Sequence, residues 1–267
     1  MRRSAMFSRF LLRGNCCHKF CTMLILNIET STDICSAALG LDGTLLDFRE
    51  DRSGVNHARR LPVFVDELLA QARSRQLPID AVAVSSGPGS YTGLRIGVST
   101  AKGLCYGLGV PLLAVETLAV VAAAAVGSDG SLSDAGGNSQ KALPTLICPM
   151  IDARRMEVYT ALYDAQLQRL TDVEAKVIDE HSFEQVLAAN KVIFCGNGAA
   201  KCESVISSDN ACFLNGTAAL AQQMVELSYQ KMLNYESTGL GAEDVAYFTP
   251  FYLKDFQAAP SHVKGLS

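Results

Sequence analysis

The run AVAVSSGPGSYTGLRIGVSTAKGLCYGLG, Ala81 to Gly109, restricts what this chain can fold into more than any other stretch. Ala81 to Ser85 reads as a buried strand, Gly87, Pro88, Gly89 and Gly93 as a loop, and the remainder as a helix carrying Gly97, Gly103 and Gly107. A glycine loop entering a helix offers free backbone N–H groups and the positive end of the helix dipole to an anionic or phosphorylated ligand. The same glycines serve equally well in a tight strand-to-helix turn that needs positive φ. Inside the helix each glycine costs about 1 kcal/mol relative to alanine, which predicts a close approach by another element. The spacing of Gly87, Gly89 and Gly93 misses GxGxxG by one residue, and Lys102 lies too deep in the helix for a P-loop.

With 267 residues, 49% of them hydrophobic, the chain can bury a core large enough for two lobes. No uninterrupted apolar stretch reaches membrane-spanning length. Five of the 23 basic residues, Arg2, Arg3, Arg9, Arg13 and Lys19, fall in residues 1–22, which leaves 18 against 27 acidic residues, or −9, for the rest. An acidic body of this kind lacks the basic footprint of a direct tRNA or DNA binder. The leader reads either as an organellar transit peptide or as sequence ahead of a true start at Met23; the second is preferred, and a cytoplasmic body is expected. The cysteines form no CxxC and the four histidines are far apart, so neither a zinc site nor a disulfide framework is expected.

The expected strands Leu24–Ser31, Cys35–Leu41 and Thr44–Arg49 include a hairpin at Asp42-Gly43, and a helix over His57–Arg73 follows. After the glycine segment, Pro111–Val115 is a short strand, and residues 121–142, rich in Ala, Gly, Ser and Asp, read as a linker or flexible insertion. The pattern then restarts with strands at Thr145–Asp152, Glu157–Tyr163, Gln168–Val177 and Lys191–Cys195 and a second glycine turn at Gly196, Asn197 and Gly198. Setting Ile28 against Ile151 places Glu29 opposite Asp152 and, without a gap, Ala38 and Leu39 opposite Ala161 and Leu162. The chain is therefore expected to be an α/β duplication: an N-terminal lobe over 23–120 and a C-terminal lobe over 143–267. Two such lobes put two acids and two glycine turns around one cleft, which resembles the duplicated actin-like ATPase architecture of the ribonuclease H-like class.

The segments ILNIETSTDICSAAL, GPGSYTGLRIGVSTAKGLCYGLGVPLLAVETL, IDARRMEVYTALY and YLKDF together resemble the bacterial TsaB family, the non-catalytic members of the TsaD-like glycoprotease superfamily. The match runs from about Met23 to about Lys254, and GPGSYTGLRIG joined to AKGL is its most specific part. The resemblance implies an accessory scaffold in threonylcarbamoyladenosine biosynthesis on tRNA, partnered by a TsaD-like catalytic subunit and a TsaE-like ATPase, with tRNA touched only through the complex and a homodimer as an alternative when alone. In the catalytic paralogue a histidine pair, HxxxH, binds the active-site metal. Thr117 and Val121 stand at the matching positions, and a valine cannot ligate a metal.

For a nucleotide or phosphate the candidate residues are Glu29, Thr30, Ser31, Gly87, Gly89, Thr92, Asp152, Gly196 and Gly198. Glu29 and Asp152 either hold a hydrated Mg²⁺ with ATP or ADP or simply cap their strands; no cofactor is required, and no catalytic or resident-metal residue is assigned. An independent ATP-dependent kinase or acyltransferase is the alternative function. For the partner interface the candidates are Leu61, Val65, Leu68, Ala72, Gly93, Gly97, Ala101, Leu104 and Leu108, unless those helix faces cover their own sheet. His57 and Arg95 are placed either at that interface or in local roles.

Overall fold

The computed structural model describes residues 22–54, 56–128 and 143–254. The leader apart from its last residue, most of the linker and residues 255–267 lie outside the described residues. The N-terminal lobe is built on β1 (Leu24–Glu29), β2 (Cys35–Leu41), β3 (Thr44–Asp51), β4 (Ala81–Ser85) and β5 (Leu112–Val115), in the order β3-β2-β1-β4-β5. The C-terminal lobe uses β6 (Thr145–Asp152), β7 (Glu157–Thr160), β8 (Glu174–Val177), β9 (Lys191–Cys195) and β10 (Ala211–Leu214), in the order β10-β9-β6-β7-β8. Read from the other edge, the second order repeats the first strand for strand. In both sheets the first strand pairs antiparallel with the second and parallel with the fourth. The chain is thus a two-lobed α/β protein of the actin-like class.

Local chemistry accounts for much of this. Asp42 and Gly43 both take positive φ, 50° and 77°, as a two-residue hairpin turn requires. Helix α1 (His57–Ser74) and α2 (Tyr91–Leu108) cover one face of the first sheet, with Leu61, Phe64, Leu68, Leu94, Val98 and Ala101 buried beneath them. The Ser90 hydroxyl accepts from Gly93 N at 3.3 Å to start α2, and Gly109, at φ 66°, ends it by donating to Cys105 O.

Three expectations are corrected. Helix α3 (Thr117–Ser128) takes in the first residues of the stretch read as a linker. Its Leu118, Val120, Val121, Ala122 and Ala125 are buried in one cluster that also holds Ile25, Ala83 and Leu113 of the first lobe and Ile147, Ile151 and Ile193 of the second. An alanine-rich helix apolar all round is what the space between two sheets selects, and composition merged it with the Gly/Ser run beyond. The ungapped register also slips. Glu29 pairs with Ser36 across six intervening residues, whereas Asp152 pairs with Val158 across five. Asn27 faces Ala38 and Met150 faces Thr160, so Thr160, not Ala161, is the counterpart of Ala38. The shorter turn closes with Arg154 and Arg155 at φ 72° and 48°. The third strand of the second lobe is also shorter than expected, because Gln168 and Arg169 belong to the turn around Asp164.

The remaining helices are short α4 (Glu184–Ala189) and α5 (Ala199–Cys202), and α6 (Met224–Thr238), which packs back against the first sheet. Among the described residues no helix is long and apolar enough to cross a membrane.

Candidate functional site

Glu29 ends β1 and is completely buried. Its Oε1 accepts from Ser31 N at 2.5 Å, while Oε2 has no partner, and neither do Ser31 Oγ, Ser85 Oγ and Thr117 Oγ1. Burial pushes the Glu29 carboxyl above the usual carboxylate range, with the neighbouring Ser31 and Ser85 groups pulling only partly against it. A carboxyl raised in this way favours the fold when protonated, and that contribution is lost as pH climbs from about 4.5 through the folded-state value. Glu29→Gln keeps the acceptor for Ser31 and turns the other atom into a donor. Its stability should match the parent near pH 4.5 and exceed it by about 1–3 kcal/mol at pH 8, the cost of an unsatisfied buried polar group. Denaturant midpoints across that range check this; a gap that does not widen with pH would refute it.

The glycine loop is drawn onto the segment after β1. Thr30 Oγ1 donates to Gly93 O at 2.8 Å, and Ser90 N donates to Ser31 O at 2.6 Å. A methyl group at Gly89 would collide with Ser31, at Gly93 with the Thr30 carbonyl, and at Gly97 with the Thr30 hydroxyl. The close approach expected of the glycines is therefore internal at Gly93 and Gly97. Several amides that could cradle a phosphate are already engaged. In the first lobe these are Ser90 N, Gly93 N and Leu94 N. In the second, Gly196 N donates to Thr217 Oγ1 at 2.6 Å and Gly198 N to Met150 O at 2.9 Å.

The two acids are not equivalent in their surroundings. Asp152 is exposed and ion-paired to Lys201, whose Nζ also donates to the carbonyls of Arg155 and Glu157, each at 2.7 Å. Asp152 lines an inter-lobe cleft of about 1010 Å³ together with Ser31, Gly89, Thr92, Arg154 and Arg155, whereas Glu29 is sealed in the interior and takes no part in that wall. Among the described residues no three His, Cys, Asp or Glu side chains converge as a metal site. Sequence analysis did not single out Lys201; a lysine three residues past the second glycine turn is its only signal. Burial pushes the thiols of Cys35, Cys105 and Cys148 up to about 12, which fits small buried side chains rather than nucleophiles.

The expected docking face is corrected in part. Leu61, Val65, Leu68, Ala72, Gly93, Gly97 and Ala101 are buried against their own sheet, Leu104 is partly buried there, and Leu108 is exposed. These residues lie on the stripe that also carries Leu94, Val98 and Cys105, and that stripe is what a helix covering a sheet needs. The outward face is different: Arg95, Ser99, Gly103, Tyr106 and Gly107 on α2 are all exposed. Tyr106 is 85% exposed, and a Cβ on Gly103 or Gly107 would meet nothing within 4 Å. Arg95 donates to the Tyr91 hydroxyl at 3.0 Å, and His57 is buried with neither ring nitrogen partnered. Thr117 and Val121 are both buried at the start of α3, with Val121 in the shared core.

Residues 52–260 match the family model described as TsaD: tRNA N6-adenosine threonylcarbamoyltransferase. Proteins called tRNA threonylcarbamoyladenosine biosynthesis protein TsaB from Escherichia coli and Bacillus subtilis are each 36% identical over 141 residues, which is 53% of this chain and 55% of theirs. The chain thus spans about half the length of these curated relatives. The solved structure of YeaZ from Pseudomonas aeruginosa superposes with a TM-score of 0.70 at 25% identity, covering 86% of this chain and all of that one. The two-lobed fold, the glycine segment and a family match over most of the chain agree, and the chain belongs to the TsaD family.

Proposed function

We propose that this chain is a non-catalytic accessory subunit that binds and activates a TsaD-like enzyme for threonylcarbamoyl transfer to adenosine in tRNA. The observation that carries this reading is the bare outward face of α2. Gly103 and Gly107 each forgo about 1 kcal/mol of helix stability, and among the described residues no group approaches the position of an added Cβ to offset it. A second helix brought close to that face would use the space, with the exposed Tyr106 supplying apolar contact. The absence of catalysis is supported by Val121, a buried core residue where the catalytic paralogue carries a metal-binding histidine. The acidic charge balance outside the leader fits a subunit that leaves tRNA contact to its partners, a TsaD-like enzyme and a TsaE-like ATPase.

Reconstitution tests this directly. The full chain is expected to co-purify with a TsaD-like subunit as a heterodimer, to show no transferase turnover alone, and to raise modified-adenosine formation at least tenfold in the assembled system. A TsaD rate unaffected by adding the chain would overturn the proposal. Mass measurement without the enzyme distinguishes a monomer from a homodimer using the same face.

A further inference from the structure

Beyond α6 the chain crosses back over both lobes. Glu243 N donates to Leu112 O at 2.8 Å on the edge of β5. Further along, Lys102 Nζ from α2 donates to Ala246 O at 3.1 Å and to Phe248 O at 3.0 Å. Phe251 N then donates to Ser86 O at 2.7 Å, close enough that any side chain on Gly87 would strike the Phe251 carbonyl. The Tyr252 ring packs on Tyr91, the first residue of α2, with centroids 4.7 Å apart, and Lys254 pairs with Glu157 on β7 of the other lobe. Phe251 to Lys254 form one wall of the inter-lobe cleft.

Apart from the bridge at Glu243 this segment has no regular secondary structure, so its position depends on what it touches. Each tie is modest: an exposed ion pair contributes about 0–1 kcal/mol and a hydrogen bond about 1 kcal/mol. The ties share one backbone, so loosening one lowers the cost of breaking the next. We propose that Glu243–Lys254 is a releasable clamp that fixes the opening of the inter-lobe cleft and covers the start of α2, with Lys102 as its release point. Lys102 adjoins the bare Gly103 and lies one turn before Tyr106, so a subunit seated on that face competes for it. This last step rests on the docking face assigned above; the clamp does not.

Hydrogen exchange on the full chain, compared with Lys102→Met, Lys254→Met and the double variant, tests both parts. Each single change is expected to speed amide exchange about tenfold in both Gly89–Thr92 and Arg154–Glu157, with the strands unchanged, and the double variant should be no faster than the faster single. Purely local acceleration, or a double variant showing the product of the two singles, would overturn the clamp. Tyr252→Ala, which removes the ring contact without altering charge, should give the same pattern; failure to do so would also overturn it. Adding a TsaD-like subunit should move the parent toward the Lys102→Met pattern, and slower exchange in both segments would refute Lys102 as the release point. A failed clamp thus shows without any partner, whereas a failed docking assignment shows in the reconstitution.

Discussion

Gly93→Ala is expected to remove roughly 4 kcal/mol of stability or to prevent folding outright, the largest single-residue effect foreseen outside the sheets. The added methyl would run into the Thr30 carbonyl, a backbone atom that cannot rotate away. Thr30 is itself held, because its hydroxyl donates to Gly93 O at 2.8 Å and the next residue accepts from Ser90 N. Relief would require lifting the first turn of α2 off β1, and with it the buried Leu94 and Val98. The control lies on the same helix. Gly103→Ala meets nothing within 4 Å and should instead add up to about 1 kcal/mol through helix propensity alone. Chemical denaturation of the two variants decides the matter: a Gly93→Ala midpoint indistinguishable from the parent would mean that α2 does not sit where its contacts put it.

Gly103→Leu is expected to fold normally and to weaken binding of a TsaD-like subunit by at least tenfold, and Tyr106→Asp on the same face should act in the same direction. Leucine at 103 projects into open space in the free chain, so any loss arises in the complex, where a closely packed helix would be overpacked. Tyr106, 85% exposed, contributes nothing to the core that aspartate would remove. Gly97→Leu, the substitution that helix periodicity first suggests, cannot serve, because the side chain would strike the Thr30 hydroxyl inside the molecule and confound binding with folding. Titration calorimetry on the folded Gly103→Leu protein gives the answer. Undiminished affinity would move the docking site off this face.

Much of the lobe architecture was legible because it is written in local chemistry. Apolar runs at Leu24–Glu29 and Ala81–Ser85 announce strands buried on both faces, and Asp42-Gly43 announces the hairpin between Cys35–Leu41 and Thr44–Asp51. The repeat of strand order between lobes could be read from element sequence alone, yet its alignment failed by one residue after Asp152. A turn closed by two arginines at positive φ carries none of the glycine signals by which turns are recognised. Likewise Val121 to Ala125 reads in sequence as the start of a linker. An alanine helix has no amphipathic period to detect when it is buried on every side, and only the presence of a second sheet explains why it is helical.

The site was less legible than the fold. Glycine spacing located the loop but not its purpose, since a close approach by Thr30 and a cradle for phosphate leave the same residues in the sequence. Glu29 and Asp152 sit at matching ends of matching strands, yet one is sealed away from water and the other is neutralised by a lysine 49 residues further on.

What the amino-acid order determined by itself was what is set within a few residues: the strands of the first sheet, helices α1 and α2, the hairpin, the two glycine turns, the duplication and the family motif. What only the tertiary structure decided was which helix face turns inward, which acid keeps its charge exposed, and where the segment after α6 is tied down. Periodicity records that a helix has an apolar side, but the sheet, the partner lysine and the crossing strap become neighbours only when distant parts of the chain close on one another, and no local pattern carries that geometry.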